Sequence, residues 1–212
     1  EQTDILIVGA GSAGFGAAYR ALKNGVCRVT LVEKNPGFGG ISTFGGVNCW
    51  EPGVSGNGVH FDLAKRLMRE NNGFVGVYCG PKVSKETPWA RSRRSDQPYE
   101  STLVRAGRDI LYRFHFEPAA MDHVMREMLL EADCGTQLQL LLDSTVTKLE
   151  VQDTKITAVT VQTPMGKRIF TAKLVIDCSA DIVVARMAGC AHAVGEDAFS
   201  LYHEPSAPHN PQ

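Results

Sequence analysis

Three glycines and one acid carry the clearest chemistry in this chain. Gly9, Gly11 and Gly14 stand two and then three residues apart in VGAGSAGFGAAYRALKNGVCRVTLVEK, residues 8–34, and Glu33 follows 22 residues after Gly11. The first glycine takes a tight turn that residues with a Cβ resist. The second leaves room for a pyrophosphate to reach the main chain, and the third lets a helix lie close on a sheet. Ser12 and Ala13 sit inside the same turn. A helix starting there offers N–H groups and a positive dipole end to phosphates. A carboxylate at Glu33 can accept hydrogen bonds from both ribose hydroxyls and repels a 2′-phosphate, which disfavours NADP. The pattern predicts an adenine-dinucleotide cradle. The residues alone leave FAD, NAD and related adenine dinucleotides open.

The surrounding segments supply the elements such a cradle needs. Residues 4–8 (DILIV) read as a strand buried on both faces. Ala17, Ala18, Ala21 and Leu22 follow at helical spacing, and Asn24-Gly25 reads as a helix stop. Residues 28–33 (RVTLVE) form a second strand, closing a βαβ unit of about 30 residues. Residues 37–58 are glycine-dense and aperiodic, a loop that must approach something closely. Residues 62–71 predict a helix with Asp62 as N-cap. Pro118 opens a helical pattern to Ala132, with Met121, Val124, Met125, Met128, Leu129 and Ala132 on one apolar face, a core stripe. From Gln137 the period changes to strands, at 137–142, 145–151, 156–163, 168–171 and 173–177. The expectation is an α/β fold: a Rossmann-like parallel sheet with an inserted antiparallel β-meander. Its main domain covers residues 1–197, with a helical or loop insertion at about 60–117, the meander at about 145–171 and an extended tail at 198–212.

Composition removes several function classes. With 22 basic and 23 acidic residues, bulk charge argues against a nucleic-acid binder. No apolar run reaches the roughly 20 residues of a membrane span, and no basic leader opens the chain. The six cysteines form no C-x-x-C pair, which argues against a zinc ribbon and leans toward free thiols in a reducing, cytoplasmic compartment. No metal site is expected, since no helix carries a metal-type histidine pair. Residues 82–94 hold five basic residues against one acid: a solvated loop in the plain view, an anionic-substrate loop through Arg91, Arg93 and Arg94 in the sharper one.

Residues 4–34 resemble the N-terminal fingerprint of FAD-dependent oxidoreductases with the glutathione-reductase-type flavin fold, an FAD/NAD(P)-binding fold. EKNPGFGGISTFGGVN (33–48), FHFEPAAMDHVMREMLLEA (114–132) and LVIDCSADIVVARMAGC (174–190) resemble later segments of one bacterial branch of that family. The resemblance covers nearly the whole chain, and its first motif is the specific one. It implies FAD as cofactor, with Gly9, Gly11, Ser12, Ala13 and Gly14 around the pyrophosphate and Glu33 on the adenosine ribose beside Lys34. Gly39, Gly40, Ile41 and Ser42 would border the pyrophosphate and ribityl chain, and Val146 would meet the adenine edge through its backbone. Gly45, Gly46 and Val47 would approach the isoalloxazine. Cys178-Ser179-Ala180-Asp181 stands where the family usually has A-T-G-D. Ser179 keeps the hydroxyl, Ala180 adds a methyl group, and Asp181 is either a helix cap or part of the cofactor shell.

Members of that family usually continue for a few hundred residues, so the resemblance implies an N-terminal portion that associates with the rest of its polypeptide. The implied reaction passes two electrons, as hydride, between an unassigned substrate and flavin. Disulfide reductases need two cysteines about five residues apart; here the cysteines nearest Cys49 are Cys27 and Cys79, which speaks against that mechanism. His60, His115 and His123 are the acid–base options, and no catalytic residue is assigned. Two alternatives stay open: a thiazole-synthase-like protein that uses an adenine dinucleotide as substrate, and a non-catalytic nucleotide-binding module.

Overall fold

The computed structural model describes residues 1–26, 28–50, 58–69, 74–81, 93–94, 110–133, 135 and 137–210. The glycine-rich unit folds as its pattern predicts. Strand β1 (Gln2–Val8) leads through the turn into helix α1 (Ser12–Lys23), and β2 (Arg28–Val32) returns parallel to β1. Because strand side chains alternate in direction, Ile7 joins the core on the helical face while Leu6 and Val8 join the core on the other face.

The main sheet is completed late in the chain. Strands β7 (Gln137–Leu141), β8 (Thr145–Gln152), β9 (Lys155–Thr163) and β10 (Gly166–Asp177) give the spatial order β7-β2-β1-β10-β9-β8. The two short strands expected at 168–171 and 173–177 are one strand. The first residues of β10 pair antiparallel with β9, and the rest pair parallel with β1. The meander therefore extends the parallel sheet instead of standing apart from it. Val146, Val159, Val161 and Phe170 from its inner face pack on Leu6, Val8 and Val32.

Helices cover the opposite face. The apolar stripe of α1 buries Gly14, Phe15, Ala18, Tyr19, Ala21 and Leu22. Helix α2 (Val59–Arg69) and helix α3 (Pro118–Ala132) complete that layer, and α3 buries the six residues its periodicity marks. Asp62 lies in the first turn of α2, three residues inside the helix start, and not at its N-cap.

The insertion at about 60–117 is not only helix and loop. Strands β3 (Cys49–Trp50), β4 (Phe74–Pro81), β5 (Arg93–Arg94) and β6 (Ile110–Phe116) form a second, antiparallel sheet in the order β3-β6-β4-β5. Gly76, Gly80 and Pro81 mask the strand signal of β4 in the sequence, whereas apolar residues recur at every second position of β6. Phe114 and Phe116 of β6 join the helical-face core, and Trp50 packs on both rings at centroid distances of 5.2 and 5.1 Å. The tail is not fully extended either: Phe199–Tyr202 makes one helical turn, and the Phe199 N–H donates to the Pro208 carbonyl at 2.7 Å.

At the amino end of the sheet, Asp4 ties three strands together. The Arg28 N–H donates to its carboxylate at 3.0 Å, and Lys173 Nζ lies 2.7 Å away. The Lys173 hydrogen bond, followed by that of Arg28, lowers the Asp4 carboxyl to about 2. A depressed carboxyl stabilises the fold above its unfolded value of about 3.9 and loses that contribution as pH falls toward the folded value. Asp4→Asn is therefore expected to flatten the loss of thermal stability between about pH 4 and pH 2. Parallel melting-temperature profiles for wild type and variant would refute this.

Candidate functional site

Register brings the site together. Val8 pairs with Val32 on one side and with Asp177 on the other, so Gly9, Glu33 and Cys178 emerge side by side at the carboxyl edge of the sheet. The Gly9 N–H donates to the Val32 carbonyl at 2.7 Å, and the Cys178 N–H to the Val8 carbonyl at 2.8 Å. Parallel sheets place ligands in the crevice outside such strand ends.

The glycine turn explains its own composition. Gly9 has φ +96°, and a Cβ there would stand 2.6 Å from the Cys178 carbonyl oxygen. A Cβ at Gly14 would stand 1.7 Å from the Gly9 carbonyl oxygen, so only glycine lets α1 sit this close. At Gly11 a Cβ would meet no protein atom within 4 Å; the space beside it is open. Gly11 is the N-cap of α1, with no side-chain cap and no acid in the first turn.

That open space is a cavity of about 410 Å³. Its floor is the glycine turn, through Gly9, Gly11, Ser12 and Ala13. Glu33 and Lys34 line one wall, Gly40 and Ile41 another, Val146 a third, and Cys178, Ser179, Ala180 and Asp181 close it. Gly14, Gly39, Ser42, Gly45, Gly46 and Val47 are not in the lining. Gly14 is consumed by helix packing. Gly39 has φ +94° and its N–H donates to the Ala10 carbonyl at 2.9 Å. The segment 40–47 folds back on itself: the Gly45 N–H donates to the Gly40 carbonyl and the Val47 N–H to the Ile41 carbonyl, both at 3.0 Å.

Sequence reasoning missed Asn35, Ser144 and Thr145 in this lining. Asn35 matters most, because it shares Glu33. The Ala10 N–H donates to Glu33 Oε2 at 2.6 Å, and Asn35 donates to Oε1 from its N–H at 2.9 Å and from Nδ2 at 2.7 Å. The buried carboxylate thus clamps the glycine turn to the loop after β2. A carboxylate has about four lone-pair sites, so acceptor capacity is left toward the cavity. Asp122 of α3 was also missed. Its Oδ1 accepts from the Phe38 N–H at 2.5 Å and anchors the loop that leads to Gly40.

The closing turn is built by Asp177, which the sequence reading did not single out. Its Oδ1 accepts from the Ser179 N–H at 3.0 Å and from the Ser179 hydroxyl at 2.6 Å. Its Oδ2 accepts from the N–H groups of Val184 at 2.8 Å and Ala185 at 3.0 Å, in helix α4 (Val183–Met187). The Ser179 hydroxyl oxygen accepts from the Val183 N–H at 2.8 Å. Asp177 and Ser179 therefore cap α4; Asp181, read from the sequence as either a helix cap or part of the cofactor shell, is exposed. Burial raises the Asp177 carboxyl, and the hydrogen bonds from Ser179, Ala185 and Val184 outweigh it and leave the group below its ordinary value. Ala180 does not take a left-handed backbone; Ile182 does, at φ 46°, an uncommon conformation for a β-branched residue. Burial, with Asp177 beside it, pushes the Cys178 thiol up, which keeps it a thiol at neutral pH.

The acid–base options lie elsewhere. The Cys49 sulfur and His115 Nε2 are 3.6 Å apart across the β3–β6 pair. The His60 ring lies tilted against Trp50 with centroids 4.5 Å apart, and burial holds its imidazole below its ordinary value. His123 is exposed on α3. None of the three histidines lines the cavity. Arg91 and most of the basic loop lie outside the described residues; Arg93–Arg94 is the short strand β5. Among the described residues no cluster of three potential metal ligands occurs, and no helix is long and apolar enough to cross a membrane.

Comparison with known proteins gives this geometry a family. The fold is similar to a geranylgeranyl bacteriochlorophyll reductase-like protein from Thermoplasma acidophilum, at TM-score 0.60 and 17% identity over 92% of this chain and 45% of that one. It is similar to L-proline dehydrogenase from P. horikoshii, at TM-score 0.56 and 16% identity over 92% and 58%. Thermovibrio ammonificans THI4 matches at TM-score 0.53 and 16% identity over 99% and 76%. This chain spans less than two thirds of the first two. No curated relative matches it. The family model for FAD dependent oxidoreductases matches residues 4–211, and with its glycine turn at the edge of a Rossmann-like sheet the chain belongs to that family, whose cofactor is FAD.

Proposed function

We propose that this chain is the FAD-holding, N-terminal portion of a flavoprotein oxidoreductase with the glutathione-reductase-type flavin fold. The observation that carries the reading is the cavity itself: a bare glycine turn as floor, an acid in the wall, and open space where a Gly11 Cβ would project. Its volume of about 410 Å³ lies within the range of about 300–1,000 Å³ usual for small-molecule sites. These residues fit FAD. Gly9, Gly11, Ser12 and Ala13 would cradle the pyrophosphate at the start of α1, and Gly14 would keep that helix in place. Glu33 would accept from the ribose hydroxyls, with Lys34 beside it, and Val146 would border the adenine. Gly39, Gly40, Ile41 and Ser42 would border the ribityl side, and Gly45, Gly46 and Val47 would lead toward the ring. Cys178, Ser179, Ala180 and Asp181 would close the far wall.

Bound FAD supplies two-electron, hydride-accepting chemistry. The chain's own residues bind and orient it: Asp177 fixes the closing turn, and Glu33 holds the glycine turn through Ala10. In this reading residues 1–197 form the FAD-holding domain and 198–212 lead toward the substrate-bearing remainder. The substrate is unassigned.

The purified protein is expected to absorb near 450 nm, roughly where a flavin does. Glu33→Gln replaces one acceptor by a donor and is expected to weaken FAD binding by about ten- to a hundredfold. Unchanged affinity would overturn the ribose assignment. A second reading, a thiazole-synthase-like protein, is favoured by the likeness to THI4 over 99% of this chain. It predicts a colourless protein that releases adenosine phosphates on denaturation.

A further inference from the structure

The second sheet sets a nucleophile beside a base. Cys49 of β3 and His115 of β6 are cross-strand partners, as are Trp50 and Phe114. Side chains alternate along a strand. Phe114 and Phe116 are buried in the helical-face core and Trp50 packs against it, so Cys49 and His115 share the face that points away from that core. Directly opposed residues hold their Cβ atoms about 4.5–5.5 Å apart. The register therefore brings sulfur and imidazole together, with Cys49 Sγ 3.6 Å from His115 Nε2. The Phe116 N–H donates to the Asn48 carbonyl at 3.1 Å and pins that register beside the pair. Across β6, the β4 partner of His115 is Gly76, which brings no side chain to that face.

Cys49 is half-buried and in no disulfide. Both residues take part in further interactions; the contact between sulfur and ring nitrogen is the one that bears on reactivity. With the ring proton on Nδ1, Nε2 can accept the thiol proton, and the thiolate is the reactive form. Cys178 gives the contrast: burial, with the Asp177 charge beside it, pushes its thiol up. A zinc site takes three or four protein ligands, and no group of three potential ligands occurs among the described residues.

We infer that Cys49 is a reactive thiol, with His115 as its proton acceptor, and that it exchanges with small soluble disulfides. The Sγ proton passes to His115 Nε2, and the thiolate bonds to one sulfur of the disulfide. The disulfide's S–S bond breaks, and its other half leaves as a thiolate that takes the proton from the imidazolium. Cys49 is oxidised to a mixed disulfide and the departing half is reduced to a thiol, so the disulfide itself is the oxidant. Neither residue lines the cavity, so this assignment stands apart from the flavin reading.

The test incubates the purified protein with bis(2-hydroxyethyl) disulfide, quenches with acid and follows the mixed disulfide at each cysteine by peptide mass spectrometry. Cys190 is exposed and serves as the reference in the same molecule. At pH 6 Cys49 is expected to exchange about tenfold faster than Cys190. From pH 6 to pH 8 the Cys49 rate should rise by less than about fivefold, and that of an ordinary thiol by about eightyfold. His115→Asn should bring the Cys49 rate down to that of Cys190 and restore the steep rise with pH, a change that a purely structural contact would not produce. Should this variant not fold, the wild-type comparison of Cys49 with Cys190 decides alone. A Cys49 no faster than Cys190 at pH 6 overturns the proposal, as does an equally steep pH profile at both cysteines. So does a folded His115→Asn protein with unchanged rate and slope. Flavin absorbance is read separately, so failure here and failure of the flavin assignment are distinguishable.

Discussion

Gly14→Ala is expected to yield a protein that retains no FAD and is at least about 3 kcal/mol less stable. The added Cβ would stand 1.7 Å from the Gly9 carbonyl oxygen. That neighbour is main chain and cannot rotate away, so α1 must lift from β1. Lifting α1 opens the helical core at Phe15 and Ala18 and moves the cradle itself. Two neighbouring substitutions give the controls. Gly16→Ala meets no atom within 4 Å and is expected to stabilise the helix by about 0.5–1 kcal/mol. Gly11→Ala also meets no protein atom within 4 Å; if the open space beside it holds FAD, as proposed, this variant is expected to fold normally and lose the flavin. Flavin-to-protein absorbance ratios and denaturant midpoints check all three. A Gly14→Ala protein that keeps its flavin and its midpoint would refute the packing argument.

Asp177→Ala is expected to cost about 2–4 kcal/mol and to lower flavin retention sharply. Four donors converge on this carboxylate. Without it the N–H groups of Val184 and Ala185 lose their acceptor, and Ser179 loses the bond that orients its hydroxyl toward Val183. The Cys178–Asp181 turn then has nothing to hold its shape, and Ile182 is free to leave its left-handed conformation. Acid should mimic the substitution. The carboxyl lies below its ordinary value, so its contribution is present above the unfolded value of about 3.9 and fades as pH falls through the folded one. Asp181→Ala, an exposed position, should leave stability unchanged. Equal losses at Asp177 and Asp181 would sink this assignment.

What the sequence made legible was local. The βαβ unit follows from Gly9, Gly11, Gly14 and an apolar strand, and α3 follows from its methionine-rich stripe and Pro118, because each signal lies within one element. The cavity floor was legible for the same reason. Asp177 was not, since its role depends on the β1–β10 register and on donors up to eight residues downstream. The second sheet stayed hidden because its pairings span long loops and β4 contains Gly76, Gly80 and Pro81. Ile182 shows a further limit: no local rule places a β-branched residue at positive φ, and only the surrounding hydrogen bonds do so.

The continuity of β10 ties the outer hairpin to the edge that carries the glycine turn. One strand begins as a hairpin arm beside β9 and ends beside the glycine turn, with Gly166 at φ +120° opening the arm. A slip of one residue in the β1–β10 pairing would turn Asp177 to the opposite side of the pleat and take from the Cys178–Asp181 turn the carboxylate that holds it.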